Sequence, residues 1–189
     1  MAFLSYFILQ LGNFAALSFV GTWLADKFGL SIASIGREVL YFGLGNVLSS
    51  LFSSGLVQKI GVKRSYLIGS LVLVVLYTGL SFLPSMMAVR ITFFLIYFLG
   101  GMLFPIMMSL LQTLSVTARG TISSLANSSM NFGATIGAYV AGVLYAHVSG
   151  FMSVTLFAAL CFLISMLLFL ASGLLPSRRQ SDSGKVGTV

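Results

Sequence analysis

Six long apolar stretches run along the chain, at about 3–24, 39–56, 65–83, 91–112, 121–146 and 151–174, with short polar gaps between them. A helix needs about 20 predominantly apolar residues to cross a bilayer, and each stretch falls within or close to that range. None alternates apolar and polar residues in the manner of barrel strands, so the pattern predicts helices. The first stretch has no basic leader and no small-residue cleavage site, and it is too long for a signal-peptide core. It is therefore expected to be the first span. The fifth is long enough to tilt or to extend past the bilayer. The expected architecture is one all-α integral membrane domain over residues 1–175, with six transmembrane helices. Residues 176–189, rich in Ser, Arg and Gly, read as a disordered basic tail.

Composition agrees with that pattern. Only 7% of the 189 residues are charged and 58% are hydrophobic, whereas soluble domains carry about 25% charged residues. A soluble enzyme, a nucleic-acid binder and a disordered chain are excluded. The formal charge of +7 changes meaning once its residues are located, because nearly all of them fall in the gaps. With the N-terminus in the cytoplasm, the outer gaps hold Lys27, Arg37 and Arg90. The inner gaps and tail then hold Lys59, Lys63, Arg64, Arg119, Arg178, Arg179 and Lys185. This excess of inner cations predicts both termini on the cytoplasmic side of the cell membrane. Asp26 and Glu38 lie near the outer exceptions and are expected to offset them. The single cysteine, Cys161, sits inside an apolar stretch, which rules out a disulfide framework or a thiol metal site.

The spans differ in polarity. The third and sixth carry the fewest amides and the most Leu, Val and Phe. The first, second and fifth hold Gln10 and Asn13, then Asn46, then Asn127 and Asn131. Read as two triplets, each ends in a lipid-facing helix, which fits a 3+3 repeat bundle of the kind many transporters use. On the fifth span, Ser124, Asn127, Asn131 and Thr135 share one helical face, while Gly133, Gly137 and Ala141 fall nearly opposite. The glycine side lets a neighbouring backbone approach closely. The amide side must meet protein or water, because lipid satisfies neither donors nor acceptors. It either bonds to neighbouring helices or lines a cavity, with Gln10 and Asn13 as its expected companions. The second span carries a stripe of Asn46, Ser49, Ser50 and Ser53, whose serines are expected to bond back to their own helix. The fourth carries Tyr97, Gly100, Gly101 and Pro105, and its proline predicts a kink.

Between the second and third spans the chain reads Ser-Gly-Leu-Val-Gln-Lys-Ile-Gly-Val-Lys-Arg, residues 54–64. This resembles the signature loop of the major facilitator superfamily, Gly-x-Leu-x-Asp-Arg-x-Gly-Arg-Arg. Leu56, Lys59, Gly61, Lys63 and Arg64 match it in type, with Ser54 in place of the first Gly and Gln58 in place of the Asp. The stretch from Arg119-Gly120-Thr121 to Tyr145 resembles the eleventh helix of drug and sugar exporters in that family. The fourth span, with Gly100-Gly101 and Phe104-Pro105, resembles the tenth. The resemblance covers nearly the whole chain as one six-helix half of the usual twelve. Gln58, Ile96 and the step from Gly137 to Ala138 depart from the N-terminal half's pattern, so the resemblance implies the C-terminal half. His147 falls in an outer gap and reads as a loop residue.

No zinc-binding HExxH, no paired aspartates and no serine beside an intramembrane Lys or His occurs in the spans, so neither an enzyme nor a cofactor is expected. The resemblance implies a transporter half, working with a second six-helix half on a small neutral or lipophilic solute, with efflux favoured. Gln10, Asn13, Asn46, Tyr97, Asn127 and Asn131 are the candidate solute contacts. Gln58, Lys59, Gly61, Lys63 and Arg64 form the candidate signature loop, and Gly133 and Gly137 the candidate packing positions. The alternatives are a non-transporting membrane scaffold or assembly partner, or a truncated inactive fragment.

Overall fold

The computed structural model describes residues 1–114, 117–148 and 150–172. These residues form six helices: α1 Ala2–Phe28, α2 Ile32–Ile60, α3 Val62–Leu80, α4 Met86–Gln112, α5 Arg119–His147 and α6 Phe151–Ala171. One helix covers each apolar stretch, and the tail expected over 176–189 lies outside the described residues. By length and composition, α1, α3, α4 and α6 are long and apolar enough to cross a membrane. In α2 and α5 the Asn, Ser and Gly positions dilute the apolar residues.

Local chemistry sets the helix ends. Ser31 caps α2 by accepting from the Ser34 N–H, and Ser85 caps α4 by accepting from the Ala88 N–H. Between α2 and α3 there is a single residue, Gly61, at φ 91°, a backbone shape that a side chain would strain. The third helix stops at Leu80 rather than near residue 83. There the Lys27 ammonium donates to the carbonyls of Ser81, at 3.0 Å, and Leu83, at 2.8 Å. A cation is favoured at that site because a helix ends in unpaired carbonyls.

α1 lies along α5 and α6, α2 lies along α4, and α3 packs on α6 and α4. Exchanging α1, α2 and α3 for α4, α5 and α6 turns every contacting helix pair into another contacting pair or into itself. Two of the tightest glycine contacts obey the same exchange. A Cβ on Gly137 of α5 would collide with the Leu11 carbonyl of α1 and stand 3.2 Å from the Ala15 nitrogen. A Cβ on Gly45 of α2 would stand 2.5 Å from the Phe94 carbonyl of α4 and 3.2 Å from the Phe98 nitrogen. Both glycines let backbones touch across a helix pair.

α3 and α6 are less peripheral than their composition predicts. Each exposes an apolar face, with Ile68, Leu71 and Val75 on one and Leu156, Leu160 and Leu167 on the other. Each also buries a second face, and the two meet through Tyr77 on Phe162 at 5.4 Å and Tyr66 on Phe169 at 5.1 Å between ring centres. α6 is further fastened to α1 by a reciprocal pair: Ser5 donates to the Ser165 carbonyl at 2.7 Å, and Ser165 to the Ser5 carbonyl at 2.8 Å.

The bundle end expected to face outward holds its charges in specific bonds. Arg90 donates twice to the buried Glu38, at 2.6 and 2.7 Å, tying α4 to α2. Tyr145 donates to Asp26, tying α5 to α1. The two acids therefore offset Arg90 and engage Tyr145, instead of pairing with their sequence neighbours Lys27 and Arg37. Arg37 donates to Ser34 at 3.2 Å, and Lys27 also sits 5.1 Å from the centre of the Trp23 ring. The three cations that depart from the inward bias are thus held by helix-end and inter-helix bonds.

Candidate functional site

A cavity of about 230 Å³ opens between α1, α2 and α4, with α3 and α6 closing its back. It gathers Gln10 and Asn13 from α1, Asn46 from α2 and Tyr97 from α4. The α1 pair reaches it because residues three apart share a helical face. Gln10 is buried, and its amide nitrogen lies 3.4 Å from the Tyr6 hydroxyl, one turn earlier. The Tyr97 hydroxyl is buried with no hydrogen-bond partner, so it is a free donor at the wall. Asn46 is admitted beside α4 by Gly101: a Cβ there would stand 3.0 Å from the Asn46 side-chain oxygen and 3.0 Å from the Ser49 Cβ.

Aromatic rings share the remaining wall with aliphatic side chains and glycines. Phe14, Phe93, Phe104 and Phe162 line it, together with Tyr77 from α3. Phe93 stacks on Phe42 at 4.6 Å, one helical turn from the Glu38–Arg90 pair. No lining side chain is charged. The arrangement provides amide and phenol hydrogen bonds inside an aromatic box, suited to holding an uncharged molecule by shape and a few directed bonds.

Sequence reasoning missed Tyr77, because the third span was read as peripheral from its average composition. Its signal was a tyrosine within an otherwise aliphatic run. It also missed the phenylalanines, which are indistinguishable by type from those facing lipid.

Asn127 and Asn131 do not join this cavity. α5 turns Gly133 and Gly137 toward α1, where a Cβ on Gly133 would stand 3.4 Å from the Gln10 Cβ. The glycine face takes the tight contact, so the amide face is turned away and exposed. There Asn131 donates to the Asn127 carbonyl at 3.0 Å, and Thr135 to the Asn131 carbonyl at 3.0 Å. On α2, Ser50 likewise bonds back, to the Val47 carbonyl at 2.7 Å. At the α2–α3 turn, Gln58, Lys59, Lys63 and Arg64 are all exposed around Gly61.

The sequence pattern of the Major Facilitator Superfamily matches residues 2–188. The chain belongs to the major facilitator superfamily. Relatives agree: YceJ, an uncharacterized MFS-type transporter of Bacillus subtilis (strain 168), is 43% identical over 166 residues, covering 88% of this chain and 43% of that protein. YwfA, another uncharacterized MFS-type transporter of the same organism, is 28% identical over 143 residues, 74% of this chain and 34% of its own length. The multidrug transporter protein MdtP, also from that organism, is 28% identical over 143 residues, 73% of this chain and 26% of its own length. The chain thus spans less than half the length of these relatives. As a member of this superfamily it is a membrane-embedded, multi-pass protein.

Proposed function

We propose that the chain is one six-helix half of a secondary-active transporter, moving a small neutral or lipophilic solute, with efflux as the favoured direction. The observation that carries this reading is the uncharged aromatic cavity lined by Gln10, Asn13, Asn46 and Tyr97. All six helices cross the cell membrane with both termini in the cytoplasm, in line with the cation bias. The exchange relation among the helix contacts supports a 3+3 repeat. Gln58, Ile96 and the Gly137–Ala138 step favour the C-terminal half. The partner is a second six-helix half, either another copy of this chain or a separate N-terminal half. The exposed amides of α5 argue for that partner, because lipid would leave them unsatisfied. Asn127 and Asn131 would then face the shared path from the opposite wall. The relative named as a multidrug transporter fits the reading that drug-like molecules are carried.

The test is accumulation of a neutral dye, N-phenyl-1-naphthylamine, in cells producing the chain. Its level should fall relative to empty cells and rise again with Gln10→Ala and Asn46→Ala combined. Equal dye levels in producing and empty cells would overturn a transporter built from copies of this chain alone.

A further inference from the structure

The fourth helix has two working faces. At 100° per residue, Tyr97, Gly100 and Phe104 look into the cavity, while Met102, Ile106 and Ser109 look the opposite way. On that opposite side lies a second cleft of about 310 Å³, with Met102, Ile106 and Ser109 as its floor. Ser53 and Val57 of α2 form one wall, and Val62 of α3 the other. Farther along α4 the same side exposes Ile91 and Leu95. The cleft is mostly apolar, with Ser53 and Ser109 its polar lining, and it reaches the one-residue turn joining α2 to α3.

That turn carries Lys59, Lys63 and Arg64, all exposed, within a helical turn of Val57 and Val62. Among the described residues the only acids are Asp26 and Glu38, and both lie at the other end of the bundle, engaged with Tyr145 and Arg90. Three exposed cations therefore stand on the turn at which the slot ends, with no acid among the described residues beside them. In a bilayer the matching partner is a molecule with an apolar tail and a negatively charged head, since basic clusters beside a span attract anionic headgroups.

We propose that this cleft is a binding site for one anionic phospholipid, its acyl chain lying on Met102, Ile106 and Ser109 and its phosphate held by Lys59, Lys63 and Arg64. The site stands on the far side of α4 from the solute cavity and does not depend on what that cavity carries. The lipid would brace α2, α3 and α4 where protein contacts between α2 and α3 are few.

The experiment is native mass spectrometry of the purified full chain in detergent, titrated separately with phosphatidylglycerol and phosphatidylcholine of identical acyl chains. One phosphatidylglycerol should be retained, about tenfold or more tighter than phosphatidylcholine, and raising salt should shrink that preference. Replacing Lys59, Lys63 and Arg64 together by Gln should equalise the two lipids while leaving phosphatidylcholine retention unchanged. Ser109→Trp, which fills the cleft, should reduce retention of both, and circular dichroism of each variant should match the parent. Equal retention of the two lipids by the parent would overturn the headgroup assignment. A phosphatidylglycerol preference that survives the triple Gln substitution would overturn the turn as its holder. Retention unchanged by Ser109→Trp would place the lipid elsewhere on the protein.

Discussion

Gly137 and Asn131 lie on one helix and face opposite worlds, so they should respond to substitution in opposite ways. A side chain at Gly137 drives into the Leu11 carbonyl, and backbone cannot step aside as a flexible side chain can. Gly137→Val should cost about 1–3 kcal/mol, the range for overpacking, read as a lower midpoint of thermal unfolding in detergent. Asn131→Ala removes a bond to its own helix, and polar bonds within membranes average about 0.6 kcal/mol, so its midpoint should barely move. The Glu38–Arg90 pair should be asymmetric for a related reason. Glu38 is buried, whereas the Arg90 side chain is 44% exposed. Arg90→Met strands a buried carboxylate and should lower the unfolding midpoint. Glu38→Gln leaves a guanidinium that water can reach, so it should cost less. A larger unfolding shift for Glu38→Gln than for Arg90→Met would contradict this account of the pair.

At the level of elements, the helices were legible because a run of apolar residues at bilayer length leaves few other options. The glycine face of α5 was legible too, since small residues four apart have one main use in a membrane. What it packs against was not: residue spacing gives faces, but the identity of a neighbour depends on tertiary arrangement. That is why the glycine side of α5 meets the α1 backbone around Leu11, while Gln10 and Asn13 line a cavity that the amide side does not reach. Average composition hid Tyr77, since one inward tyrosine hardly changes the mean of a long aliphatic helix. α4 is the element most open to test. Pro105 has no N–H, so the Gly101 carbonyl lacks its helical donor beside the cavity. Pro105→Ala should restore that bond, slow amide hydrogen exchange over residues 101–106, and lower the rate of dye efflux. Unchanged exchange there would mean that α4 is already rigid at this point and that the proline is not a weak joint.

For the whole molecule, the uncharged polar side chains gather at two separate places. The cavity opens between α1, α2 and α4, and the amides of α5 lie exposed beyond the α1 contact. α3 and α6 close the back of the cavity and turn aliphatic residues outward. Such a polarity split is what a half-transporter needs, with one side for lipid and one for a partner half and solute. The most direct test is aqueous access, measured with a membrane-impermeant thiol reagent on intact and permeabilised cells in a Cys161→Ser background. Cysteine at Asn13 and at Asn46 should be labelled, and N-phenyl-1-naphthylamine should slow that labelling. Cysteine at Val72, on the outward face of α3, should stay unlabelled. Reactivity at Val72 matching that at Asn13 and Asn46, or none at the two amide positions from either side, would contradict a water-facing solute cavity at the centre of this fold.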